Sequence, residues 1–152
     1  FNKDNVELPF KMMLPLKTAG ARPQVERVED VTWNIKVDGD KFSLIIDDWG
    51  TEEKSIAWAK EWLAQDIFEM EAMLDDNGNP IEDEDEILYV NKLKTSGEEK
   101  PMSFSHMCFI KEVNGTWYTI RSNDLGTFSG ARAKDMLRSA KSFQPASGDD
   151  AI

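Results

Sequence analysis

Residues 103–122 read SFSHMCFIKEVNGTWYTIRS, and their pattern decides the fold. Two runs rich in β-branched and aromatic residues flank Asn114-Gly115. Both turn residues tolerate the positive φ that a two-residue hairpin turn demands. With that turn, Val113 pairs with Thr116, Lys111 with Tyr118 and Phe109 with Ile120. Alternation then places Met107, Phe109, Tyr118 and Ile120 on one face of the hairpin. The opposite face carries Phe104, His106, Cys108, Ile110, Trp117, Thr119 and Arg121. The first face belongs to a core, whereas the second needs either a helix to cover it or a partner to bind it.

Downstream, residues 123–126 form a turn and Ser129 is placed to cap a helix. Ala133, Met136, Leu137, Ala140 and Phe143 make its apolar stripe, opposite Lys134, Asp135, Arg138 and Lys141. Pro145 cannot continue that helix. Upstream, residues 87–93 read as a strand with apolar residues on both faces, and residues 67–74 as a half-buried strand. Between them Asp75-Asp76-Asn77-Gly78-Asn79-Pro80 is turn chemistry throughout. A helix is expected over 52–64, capped by Thr51, with Ile56, Ala59 and Leu63 on one side and Trp58 and Trp62 widening the stripe. Before it, residues 31–37 and 42–46 alternate around an Asp38-Gly39-Asp40 turn. Residues 10–14 read as a short edge strand between prolines, and residues 17–23 and 96–101 as loops.

Antiparallel strands with two amphipathic helices predict an α+β domain, a mainly antiparallel sheet with both helices packed on it. A single domain over 1–145, followed by a flexible polar tail over 146–152, accounts for the whole chain.

The net charge of −11 argues against a nucleic-acid partner, because phosphate binding needs a surplus of Lys and Arg on one surface. The acidity is local. Nine acids and no bases lie between Glu69 and Glu86, leaving only −2 for the rest. One cysteine, Cys108, excludes an intramolecular disulfide and any multi-cysteine metal centre. No run approaches the roughly 20 apolar residues of a membrane span. The chain opens Phe1-Asn2-Lys3 without Met, which fits a trimmed chain or a processed, exported form equally well.

Candidate chemistry is sparse. From Asp75, the oxygen-bearing Asn77, Asn79, Asp83 and Glu86 approach the spacing of a calcium loop. The sixth position must be Gly and is Pro80, so a helix–loop–helix calcium site is rejected. Irregular cation binding by the acidic hairpin 75–86 stays as an alternative. His106 and Cys108 share a face two residues apart, about 6.5–7 Å between Cα atoms, too far for a direct thiol–imidazole pair. A small hydrolase or isomerase site near His106, Cys108 and Arg121 is the enzymatic alternative. His106 is the single histidine, and no glycine-rich phosphate cradle is present. No catalytic residue, metal or cofactor is therefore assigned. The candidate partner-binding residues are His106, Trp117 and Arg121 on the sheet face, and Glu82, Asp83, Glu84 and Asp85 on the acidic edge.

The order of elements resembles that of the PsbP-like superfamily, which includes the extrinsic PsbP subunit of photosystem II and many small bacterial exported proteins and lipoproteins. The likeness is carried by VTWNIKVDGDKFSLII, TEEKSIAWAKEWLA, CFIKEVNGTWYTIRS and ARAKDMLRSAKSF. It implies an α/β/α sandwich and a non-enzymatic accessory or binding role toward a protein partner. It also implies a periplasmic or membrane-anchored protein with a lipid anchor upstream of residue 1; a cytoplasmic protein is the alternative, and the chain is expected to be monomeric or weakly associating. It carries over no functional residue, since no diagnostic motif is shared.

Overall fold

The computed structural model describes residues 10–14, 24–29, 31–37, 42–94 and 102–145. The turn expected at 38–40, the loops at 17–23 and 96–101 and the tail at 146–152 lie outside these residues. In chain order the elements are β1 (Phe10–Lys11), β2 (Gln24–Glu29), β3 (Thr32–Val37), β4 (Phe42–Asp48), α1 (Ile56–Leu63) and β5 (Phe68–Ala72). There follow β6 (Glu86–Leu93), β7 (Ser103–Val113), β8 (Thr116–Ser122), α2 (Gly130–Lys141) and β9 (Gln144–Pro145). The chain is an α+β protein. Seven strands form one antiparallel sheet in the order β2-β3-β4-β8-β7-β6-β5.

The central hairpin takes the register read from the sequence. Phe109 opposes Ile120, Lys111 opposes Tyr118 and Val113 opposes Thr116. The turn residues Asn114 and Gly115 have φ of 53° and 86°, the left-handed region that Asn and Gly enter at least cost.

Alternation gives the sheet two apolar faces, and each helix covers one. On the first, Ala133, Met136, Leu137 and Ala140 of α2, with Phe143, pack on Ile35, Leu44, Ile46, Met107, Phe109 and Ile120. Fully burying one such side chain contributes about 1.5–3 kcal/mol, so this stripe dominates the attachment of α2. On the second, Ile56, Ala59 and Leu63 of α1 pack on Ile87, Tyr89, Cys108 and Ile110. The hairpin face that carries His106 and Arg121 is thus the face beneath α1. Among the described residues no helix is long and apolar enough to cross a membrane.

Three local readings change. Helix α2 is capped by Ser129, whose hydroxyl accepts from Arg132 N–H, as expected, but α1 starts later than residue 52. Its cap is Ser55, which accepts from Trp58 N–H at 3.2 Å. The cause is upstream. Trp49 N–H donates to Trp117 O, and Gly50 O accepts from Trp117 N–H, so pairing to β8 runs on to Gly50; a turn follows, with Gly50 at a φ of 63° and Glu52 N–H donating to Trp49 O, and the helix begins only after it. Strand β2 was not expected; its Gln, Glu and Arg give no clean alternation, and pairing to β3 makes it a strand. The expected strand over 10–14 is only Phe10–Lys11, because its partner is the two-residue β9 that follows α2.

Candidate functional site

The α1 side of the sheet is organised by three tryptophans. Trp58 and Trp62 lie one helical turn apart on α1 and stack at 4.8 Å between ring centroids. Trp49, at the end of β4, meets both edge-on at 5.2 and 5.3 Å. Two cations bracket the cluster. Lys54 Nζ sits 4.4 Å from the Trp49 ring centre and 4.2 Å from that of Trp58, and the Arg121 guanidinium lies 4.8 Å over Trp62. Cations are drawn to the negative face of an indole, more so where water is displaced.

Beneath this cluster Asp47 is 7% exposed and its carboxylate is well supplied with donors. Oδ1 accepts from Thr32 Oγ1 at 3.2 Å; Oδ2 accepts from Thr119 Oγ1 at 3.0 Å and from Arg121 Nε at 3.2 Å. Thr119 Oγ1 also accepts from Trp49 Nε1 at 3.0 Å, which links the carboxylate to the aromatic cluster. The network clamps α1 to the strands. A hollow of about 380 Å³ borders Trp62, Arg121 and Asp47; there Arg121 and Asp47 pair with each other, and Asp48 accepts from Gly50 N–H.

A wider opening lies at the start of α1. It is a cleft of about 940 Å³ between Lys54, Ser55, Ile56, Ala57 and Lys60 on one side and Glu82, Asp83, Glu84 and Asp85 on the other. Phe109, Ile110 and Trp117 add apolar surface. Six carboxylates line it, Glu53 and Glu112 being the other two, against three lysines. The lysines are engaged. Lys60 spans the cleft to both Glu82 oxygens at 3.1 Å, Lys54 lies between the indoles, and Lys111 Nζ donates to Phe143 O. The cleft is therefore an apolar trough with excess negative charge along one wall.

That wall is shaped by its own backbone. Asp83 Oδ1 accepts from the N–H groups of Asp85 and Glu86, and Ile110 N–H donates to Asp85 O at 2.7 Å. The carboxylates of Asp83, Asp85 and Glu86 come within 4.8 Å of one another, close enough for a divalent ion. Their bonds run inward, however. The Asp83–Asp85 hydrogen bond pushes the Asp85 carboxyl up to about 6 and holds that of Asp83 low, so the pair takes up a proton as pH falls toward 6; Glu86 forms an ion pair with Lys141 at 2.9 Å. The first half of the acidic run takes no part. Asp75 Oδ1 accepts from Asn77 and Asn79 N–H and closes a turn at Gly78, where φ is 81°.

His106 and Cys108 lie elsewhere and inside. His106 is 1% exposed, stacked on Tyr89 at 5.5 Å and edge-on to Phe128 at 5.8 Å. Its Nδ1 is 2.8 Å from Ser122 Oγ, and desolvation pulls the imidazole down to about 4. Cys108 is fully buried beside Ile87 and Ile110 under α1, which pushes its thiol up to about 12. A thiol at that value supplies almost no thiolate at neutral pH.

The residues singled out in the sequence thus divide. Trp117, Glu82, Asp83, Glu84 and Asp85 meet around one cleft. His106 and Arg121 do not reach it: His106 sits within the packed layer and Arg121 beneath Trp62. Sequence reasoning missed Lys54, Trp49 and Asp47. The signal for Trp49 was its place directly after an alternating strand, where an indole can fold back over the sheet. A scan against protein-family models and a search of curated proteins found no match to this chain.

Proposed function

We propose that this chain is a non-enzymatic binding domain that receives a basic, apolar-anchored polypeptide segment in the cleft between α1 and residues 82–85. The observation that carries this reading is the pairing of apolar surface around Ile56, Ile110 and Trp117 with an acidic wall whose carboxylates outnumber the lysines of the cleft. Apolar side chains supply affinity on such a surface, and charge supplies selectivity and a faster encounter. A binding role over an enzymatic one is supported by the burial of the imidazole and thiol that a nucleophilic mechanism would use. The accessory character and an exported location rest on the resemblance of the element order to PsbP-like proteins.

The test uses a short Lys- and Arg-rich peptide with one central Trp, titrated calorimetrically against the parent and against the Glu82→Gln/Asp83→Asn/Glu84→Gln/Asp85→Asn variant. Saturable binding that weakens with salt and falls about tenfold or more in the variant is the expected result. Equal affinity for both proteins, or for an acidic peptide of the same apolar content, overturns the reading.

A further inference from the structure

The sheet has two outer strands, and they are built differently. At one edge, β2 breaks register between Arg27 and Glu29, a kink of the kind that discourages another strand from pairing. At the other, β5 pairs with β6 without a break from Phe68↔Leu93 to Ala72↔Tyr89. Met73 N–H donates to Leu88 O and Lys94 N–H to Ile67 O. Antiparallel hydrogen bonding alternates residue by residue, so the amides of Glu69 and Glu71 turn inward to β6. Those of Met70 and Ala72 turn outward, where no described residue receives them. Ile67 and Leu74, just beyond the two ends of β5, are 58% and 62% exposed. This is a regular, unbroken edge flanked by exposed apolar residues.

From this geometry we infer that β5 is a docking edge for a strand of a partner protein in which Lys or Arg alternates with apolar residues. Side-chain alternation sets the specificity. Met70 and Ala72 point to the α1 side, and Phe68 meets Phe104 at 6.0 Å. Glu69 and Glu71 point to the opposite side, both exposed. Glu71 pairs with Lys92 at 2.7 Å, and Glu69 has no ion-pair partner among the described residues. A partner strand therefore places apolar residues beside Met70 and Ala72 and cations beside the glutamates.

The same geometry rejects a second copy of this chain. Any antiparallel β5–β5 register that joins the outward amides of Met70 and Ala72 to their counterparts sets even residues against even ones and odd against odd. Glutamate then faces glutamate in each register that sets Met70 against Phe68, Met70 or Ala72, and Glu69 faces Asp75 where Ala72 meets Ala72; like charges directly opposed destabilise a sheet. This surface is separate from the cleft and stands or falls independently of it.

The test uses a blocked peptide of alternating Lys and Val, with its Glu–Val counterpart as control, and reads amide hydrogen exchange by NMR. The Lys–Val peptide slows exchange at Met70 and Ala72, and the Glu–Val peptide does not. Neutralising Glu69→Gln/Glu71→Gln weakens binding about tenfold, the size expected for two cross-strand charge pairs. Reversal by Glu69→Lys/Glu71→Lys, on exposed side chains with the fold checked by circular dichroism, switches preference to the Glu–Val peptide. The variant with residues 82–85 neutralised keeps the β5 response, which separates this surface from the cleft. Unchanged preference after charge reversal, protection confined to residues 109–117, or concentration-dependent protection of β5 without peptide each overturns the inference.

Discussion

The buried imidazole makes the stability of this protein depend on pH in a calculable way. His106 is the one histidine of the chain, and its folded value of about 4 lies below the usual 6.5 because the surrounding Tyr89, Phe128 and strand backbone exclude water; Asp124 pulls weakly the other way. The sign follows from proton counting. Unfolded chains take up a proton at His106 as pH falls through 6.5, while the folded chain refuses it until about 4. Between those limits the unfolded state binds more protons, so stability is lost as pH falls and levels off below about 4. A gap of about 2.5 pH units at roughly 1.4 kcal/mol each predicts a loss on the order of 3 kcal/mol. Asp85 titrates in the same range, and its partner Asp83 below it. Asp85, raised above 3.8 to about 6, adds stability on acidification, and Asp83, held low, removes it. Both effects persist in a His106→Gln variant and cancel in the comparison. Urea unfolding followed by tryptophan fluorescence, at several values from about pH 7 to pH 4, therefore isolates the histidine. The difference between parent and His106→Gln should narrow by about 3 kcal/mol across that range. A parallel decline of the two proteins, or an NMR titration of the single imidazole with its midpoint near 6.5, would refute the reasoning.

Two further outcomes follow from the packing beneath α1. Cys108 should resist iodoacetamide at neutral pH and become labelled only through urea unfolding; rapid labelling in native buffer would mean that α1 does not cover it. Asp47→Ala leaves Arg121 and two threonine hydroxyls without their acceptor and should cost about 3–5 kcal/mol in urea unfolding, most of it recovered when Arg121→Met is added. A loss below about 1 kcal/mol would show that Asp47 and Arg121 interact as a solvated surface pair.

Much of the fold is written locally. Asn114-Gly115 selects a turn through its tolerance of positive φ, and the turn sets the register of β7 against β8 because the side-chain period is two. Ser129 and the stripe from Ala133 to Phe143 define α2 within a few residues of chain. The acid-rich run and the Trp58–Trp62 spacing were equally plain. None of these needs a distant partner, since sterics and nearest-neighbour hydrogen bonds decide them.

Other features exist only because remote segments meet. Strand β2 is a strand because β3 pairs with it, and α1 is capped as late as Ser55 because Trp117 pairs with Trp49 and Gly50 and a turn at Gly50 follows. The division of the candidate residues has the same origin. On the isolated hairpin His106, Cys108, Trp117 and Arg121 share one face and look equivalent. Placing α1 over that face buries the thiol and draws Arg121 between Asp47 and Trp62, while Tyr89 and Phe128 enclose the imidazole. Trp117 is left at the rim, opposite Glu82, Asp83, Glu84 and Asp85. Alternation along a strand states which side chains share a face; only the packing of a second element states which of them still meet water.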